Sequence, residues 1–301
     1  MDSRRAEALD RSATLADAAG NERAPVPHLR GLPAGDGSAV GGAGTRRNGS
    51  SRIQLFGIPI ALAEPAQMLR TITGWAGEGK ARRVMYVNAH VVNQSQSRDL
   101  AELGPALRKA DLIYCDGYGV RMAARTLDLP VPHRMTGADW VWGLAALCEV
   151  TGLSLYLLGS NPPLARTAAE RLQRWYPRLK IAGCHHGYCE LESPQNDRVI
   201  EDINARRPNI VLVGMGTPKQ ELWVDRYSDR LDVDVLWTVG ALFDYLAGRV
   251  PRAPRWLADN GFEWIFRLAI EPHRMWRRYL LGNPVFVSRV LGEARRNRTA
   301  H

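Results

Sequence analysis

The chain has 301 residues, 45% of them hydrophobic and 24% charged, enough to build an ordinary core in one large α/β domain or two small ones. Its net charge of +9 is concentrated in residues 249–301, where eleven arginines face only Asp259, Glu263, Glu271 and Glu293, so the C-terminus is expected to meet an anion: nucleic acid, a phosphate ligand or anionic lipid. Cys115, Cys148, Cys184 and Cys189 are too few and scattered for a disulfide framework, which implies a reducing compartment; no stretch approaches the roughly 20 apolar residues of a membrane span, and the N-terminus lacks the apolar core of a secretory signal.

Residues 1–50 are rich in Ala, Gly, Arg and Ser and are expected to be disordered, because they carry too little apolar surface to offset their ordering entropy. From Ile53 onward, apolar runs alternate with helical ones. Strands are predicted at Arg52–Phe56, Ile58–Leu62, Val84–Val87, Leu112–Tyr114, Ser154–Leu158, Leu179–Ala182, Ile210–Val213 and Val235–Val239. Helices are predicted at Pro65–Glu78 and near 90–109, 118–128, 138–150, 162–175, 195–206 and 218–230. This alternation predicts an α/β fold: a Rossmann-like, mostly parallel sheet with helices on both faces, over residues 51–250. Residues 251–301 are expected to form a helical appendage. Phe262, Ile265, Phe266 and Ala269 recur at amphipathic spacing, and Pro272 and Pro284 divide the segment into three short helices.

Ligands of open parallel sheets bind beyond the carboxyl ends of the strands, and four predicted strand-to-helix loops carry suggestive residues there. Asn88, after Tyr86-Val87, is either an N-cap or a site residue. Asp116 follows a buried strand and precedes Gly117 and Gly119, where it is either a turn residue or a desolvated general base. Gly159-Ser160-Asn161 precedes two prolines at a helix start, either a tight turn or a set of free N–H groups for a diphosphate. Gly214-Met-Gly216-Thr-Pro-Lys219-Gln220 resembles neither a Walker loop nor a complete dinucleotide fingerprint, but its glycines would let a phosphate or sugar reach the backbone. Asp232-Val-Asp234 has the form of a metal motif but precedes its strand, and Cys184-His185-His186 with Cys189 fits no common zinc spacing, so no metal is expected.

Taken together, the blocks Asp116-Gly-Tyr-Gly-Val, Arg134-Met-Thr-Gly-Ala-Asp139, Gly214-Met-Gly-Thr-Pro-Lys-Gln-Glu221, Val239-Gly-Ala-Leu-Phe-Asp244, Arg252-Ala-Pro and Gly261-Phe-Glu-Trp-Ile-Phe-Arg-Leu268 resemble the WecG/TagA/CpsF family of glycosyltransferases over about Ile53 to Tyr279. The resemblance implies an inverting, metal-independent transfer of a sugar from a nucleotide donor to a sugar on a polyprenyl diphosphate. It places the enzyme in the cytoplasm, at the inner face of the membrane. It assigns the base to Asp116, with Asn88 beside it, and substrate contacts to Arg134, Thr136, Asp139, Lys219 and Gln220, while the loop N–H groups about Gly159, Asn161, Gly214 and Gly216 are expected, from their place at the strand ends, to stabilise the leaving diphosphate. It also implies three arginines in a membrane-associating appendage, whose spacing falls on Arg267, Arg274 and Arg277, in a segment that carries Trp256, Trp264, Trp276 and Phe286. The family's usual Thr two residues before Asn88 is Tyr86 in this chain.

The ending Tyr279-Leu-Leu-Gly-Asn-Pro-Val-Phe is similar to exopolysaccharide members, which implies UDP-glucose as donor; N-acetylmannosamine, or its uronic acid, is the alternative. Two rivals differ in kind. A nicotinamide-dependent oxidoreductase would need a full G-x-G-x-x-G on the first strand and an acid about 20 residues on, and both are missing. A nucleic-acid-binding protein would use the basic tail but leave the strand-end loops without a purpose; no nucleic-acid partner is expected.

Overall fold

The computed structural model describes residues 51–188 and 190–299; the expected disorder of residues 1–50 lies outside them. All eight predicted strands form: β1 Arg52–Leu55, β2 Ile58–Ala61, β3 Arg82–Val87, β4 Leu112–Cys115, β5 Ser154–Gly159, β6 Lys180–His185, β7 Ile210–Gly214 and β8 Val235–Thr238. β1 and β2 pair antiparallel about Phe56 and Gly57, both at positive φ (52° and 74°), which gives a two-residue turn the right twist for a hairpin. The other six make one parallel sheet in the order β4-β3-β8-β7-β5-β6. β4, β7 and β8 are buried at every residue, as a sheet covered on both faces requires.

Helices α1 Pro65–Gly74, α2 Ala89–Ser95, α3 Leu103–Arg108, α4 Tyr118–Thr126, α5 Gly137–Thr151, α6 Pro162–Trp175, α7 Gln195–Arg206, α8 Lys219–Tyr227 and α9 Leu242–Leu246 flank the sheet. The single helix expected near 90–109 is broken into α2, a 3₁₀ turn Arg98–Leu100, and α3. Pro105 falls in the first turn of α3, the part of a helix that tolerates a missing N–H. α9 is too short for a periodic signal and was not predicted.

The tail comprises α10 Arg255–Asp259, α11 Glu263–Ile270, α12 Pro272–Trp276, a π-helical turn Arg277–Leu281, and α13 Gly282–Thr299. Pro284 does not end a helix as expected. It lies in the first turn of α13, next to the widened π turn rather than a regular i→i−4 ladder. α13 rests on α2 and α4, with Phe286 and Val290 sealed into the main core. In α11 the apolar stripe faces largely outward. Phe262 and Ile265 are 47% and 44% exposed, while Arg267 is the buried residue of the helix. No helix among the described residues is long and apolar enough to cross a membrane.

Candidate active site

A cavity of about 320 Å³ opens at the carboxyl ends of β3, β4 and β8, beneath the tail. Its floor is built by strand register. β3 and β4 run side by side with Tyr86 opposite Tyr114 and Val87 opposite Cys115. The Asp116 N–H donates to Val87 O at 2.9 Å, so the next residue after β4 is held at the end of the ladder. Gly117, at φ 97°, then turns the chain into α4, a conformation in which a Cβ would be strained. Asp116 is therefore fixed at a strand tip, half-buried, with its carboxyl facing the cavity.

Asn88 serves both of its readings. Its Oδ1 accepts from Val91 N–H at 3.0 Å as the N-cap of α2, and its Nδ2 donates to Asp116 Oδ2 at 3.4 Å. Burial foremost, and then the negative charge of Glu263, raise the Asp116 pKa, the Asn88 hydrogen bond, Arg278 and Arg134 pull it down, and the balance is about 6. His90, also on the cavity wall, is lowered to about 4 by burial and by Arg278, so it is a neutral imidazole at physiological pH.

The walls carry arginines from two parts of the chain. Arg134 sits on a segment that extends the sheet edge: Cys115 and Arg134 form a parallel bridge, and Met135 N–H donates to Cys115 O at 2.8 Å. Its guanidinium reaches Glu263 Oε2 at 3.2 Å and Asp139 Oδ2 at 3.8 Å. Arg252 joins Asp139 and lies 3.7 Å from Glu263, which closes a ring of two cations and two carboxylates between core and tail. Arg267 is 5% exposed and lies 5.0 Å over the Tyr245 ring. Its Nη2 pairs with Glu271 at 2.8 Å, while its buried Nη1 has no hydrogen-bond partner among the described residues. Arg267 thus brings a buried cation with an unsatisfied donor to the cavity wall, where charge-assisted hydrogen bonds to an anion would be strong.

Of the residues singled out in the sequence, Asn88, Asp116, Arg134, Thr136 and Arg267 line this cavity. Arg274 and Arg277 do not. Arg274 is half-exposed and pairs with Glu271 at 3.2 Å, and Arg277 lies over the Trp276 ring. Arg278 lines the wall in their place. Met275 is the buried residue of α12, and positions three and four beyond it, Arg278 and Tyr279, share its face, whereas Arg277 is turned away.

The other strand-end loops lie along the same edge but outside the cavity. A Cβ on Gly159 would collide with the Gly214 carbonyl, and one on Gly214 would lie 2.9 Å from the Phe243 ring and 3.0 Å from Gly240 O. These glycines allow the β5 and β7 ends and the β8 loop to touch one another. Asn161 is the N-cap residue of α6 but makes no side-chain cap bond. Lys219 donates to Gly187 O at 2.7 Å, and Asp139 is committed to the ion-pair ring.

Gln220 is fully buried. Its Oε1 accepts from Gly216 N–H at 3.3 Å and Gly240 N–H at 3.0 Å, and its Nε2 donates to Glu221 Oε1 at 2.7 Å. Thr217 also bonds Glu221, at 3.2 Å, and Tyr86 OH, at 3.3 Å. This latch ties the β7 loop to the β8 loop behind the cavity. Burial lifts the Glu221 carboxyl to about 7.

Sequence reasoning missed Tyr86, His90, Gly240, Tyr245, Glu263, Arg278 and Tyr279 as cavity residues. Gly240 and Glu263 stand within the motif blocks, Tyr279 opens the ending Tyr279-Leu-Leu-Gly-Asn-Pro-Val-Phe, and Tyr86 is the departure from the family's Thr. Arg278 has no signal beyond helical phase, which is not known until one buried residue is fixed. Asp232 and Asp234 lie at the opposite sheet end, where Asp232 is 3.5 Å from Arg207 and Asp234 accepts from Asn209 at 2.9 Å. Cys189 is outside the described residues.

The sequence profile of the glycosyl transferase WecG/TagA/CpsF family matches residues 53–300. Among curated proteins, the N-acetylglucosaminyldiphosphoundecaprenol N-acetyl-beta-D-mannosaminyltransferase of Staphylococcus aureus strain NCTC 8325 / PS 47 is 28% identical over 257 residues, 84% of this chain and 98% of that protein. The same-named proteins of strains COL and MW2 are 28% and 27% identical over the same spans.

Proposed function

From the premise that the chain belongs to the WecG/TagA/CpsF family and is a glycosyltransferase, we propose that it moves N-acetylmannosamine, or a close relative, from a nucleoside diphosphate to N-acetylglucosaminyl-diphospho-polyprenol. The names of the similar Staphylococcus aureus enzymes favour this donor and acceptor over UDP-glucose and an exopolysaccharide acceptor, which the chain's ending alone suggested.

The observation that carries the reading is the Asp116 carboxyl, lifted to about 6 on the floor of a cavity whose walls hold Arg134, Arg267 and Arg278. Asp116 takes the proton of the acceptor hydroxyl as that oxygen bonds the anomeric carbon. The bond from that carbon to the nucleoside diphosphate breaks on the opposite face, with inversion. Asn88 orients the carboxyl, and the arginines neutralise diphosphate charge in a site of low dielectric. Thr136 is a further substrate contact.

The tail also supports a membrane role. Trp256, Ile265, Trp276 and Leu281 are 67%, 44%, 41% and 57% exposed within the arginine-rich segment, a surface suited to anionic headgroups at the inner face of the cell membrane. Sedimentation with anionic vesicles, but not zwitterionic ones, is the expected result.

The direct test is a donor screen with UDP-N-acetylmannosamine and UDP-glucose against a short-chain prenyl-diphosphate N-acetylglucosamine, read by mass spectrometry. The expected product is heavier by one N-acetylhexosamine. A hexose product would restore the glucose reading, and no product from either donor would remove this donor and acceptor pair.

A further inference from the structure

A second groove adjoins the cavity across its aromatic wall. Trp264 of α11 and Tyr279 of the π turn meet at 6.0 Å and 54°, and with Asn283 and Val287 they border both the cavity and a second, open groove of about 770 Å³ running along α13. Beyond this neck the groove is lined by Leu280, Pro284 and Leu291, with Arg295 at its rim. Leu280 and Leu291 are 52% and 47% exposed although they face a concave surface. From inside outward the chemistry runs from the guanidiniums of Arg267 and Arg278, through two aromatic rings, to aliphatic side chains.

That order matches one kind of molecule, a diphosphate ester of a long hydrocarbon. The chain of such a ligand begins one bond from the phosphate, so it must leave the cavity close to the cations. An apolar groove that borders the cavity spares the chain from hydration. Resting on the acceptor class proposed above, we propose that this groove binds the first isoprene units of the polyprenyl diphosphate, with Trp264 and Tyr279 as the neck between headgroup and chain. A bilayer or a second copy of the chain would cover the same leucines, and the test separates these occupants.

The experiment is calorimetric binding of farnesyl diphosphate and of inorganic pyrophosphate to the full chain, without vesicles or detergent. Farnesyl diphosphate is expected to bind at least about tenfold more tightly, as burial of part of one apolar chain requires. Leu280→Asp and Leu291→Asp should reduce that preference to under about twofold and leave pyrophosphate affinity alone. Ile270→Asp, exposed on α11 but outside the groove, should keep it. If an aspartate variant fails to fold, Leu280→Ala and Leu291→Ala should still narrow the preference.

Equal affinity for the two ligands overturns the proposal, as does a preference that survives both groove variants or is lost equally in Ile270→Asp. Concentration-dependent self-association abolished by the groove variants would assign the surface to a second copy instead. Prenyl preference without sugar transfer would keep the groove and sink the proposed reaction; transfer without prenyl preference would do the reverse.

Discussion

The carboxyl edge of the sheet has two halves that differ in what fills them. Over β4, β3 and β8 the loops stand apart and the tail roofs a cavity holding Asp116, Asn88 and the arginines. Over β7, β5 and β6 the loops close on themselves: Gly159 meets Gly214, Gly187 meets Gly159, and Lys219 bonds Gly187 O. Both halves have the glycine-bearing strand-to-helix turns that suggest a ligand. The difference teaches that a glycine at a strand end makes room either for a ligand or for a neighbouring backbone, and only the neighbour decides which.

The comparison can be broken by substitutions on each side. The largest effect is expected from Asp116→Asn, which should lower kcat about 10²–10⁴-fold with a folded protein, measured on purified lipid acceptor. Near-normal turnover would take the base away from the open half. The same variant should gain stability. The folded pKa of Asp116 is raised from 3.8 to about 6, so the wild type loses stability as pH rises through that window and the loss is complete above it. Asp116→Asn should therefore match the wild type below pH 4 and exceed it by at most about 3 kcal/mol above pH 6, in denaturant titrations at both pH values.

In the closed half the sign reverses. Gly214→Ala, whose Cβ must displace Phe243 or the Gly240 carbonyl, should cost roughly 2–3 kcal/mol and about 5–10 °C in Tm. A well-folded Gly214→Ala with weakened donor binding would instead return this half to the ligand. Gln220→Ala sharpens the boundary, because it unpairs two loop N–H groups and Glu221. A loss of about 2 kcal/mol in stability marks it as a latch. A raised KM with stability intact marks it as a direct substrate contact.

A smaller effect separates neighbours in the tail. Arg278→Ala should raise a substrate KM about tenfold, the worth of one charge-assisted hydrogen bond, and Arg277→Ala by under about twofold. The smallest is the acid limb of kcat/KM, expected near pH 6 rather than in the ordinary carboxylate range, because burial and Glu263 hold the proton on Asp116.

Much of the fold was legible because its signals are local. β4, β7 and β8 are runs of apolar residues that could only be strands covered on both faces, and each predicted helix from α4 to α8 lies within a few residues of its observed place. Asp116 was legible as a strand-tip carboxylate for the same reason. The apolar stripe of α11 was legible as a stripe but not its direction, since periodicity reports that one face differs from the other and not which face is inward.

The sequence by itself determined the strands, most helices, the family, and Asp116, Arg134 and Arg267 as polar residues that come to line one cavity. Strand order and helix phase belonged to the tertiary structure. The order β4-β3-β8-β7-β5-β6 brings the β8 loop to Asp116 and carries the Gly159 loop away, and the docking of Met275, Phe286 and Val290 turns Arg278 inward. The physical reason is that propensity and periodicity act over a few residues, whereas a cavity is made of surfaces that residues far apart in the chain leave unfilled.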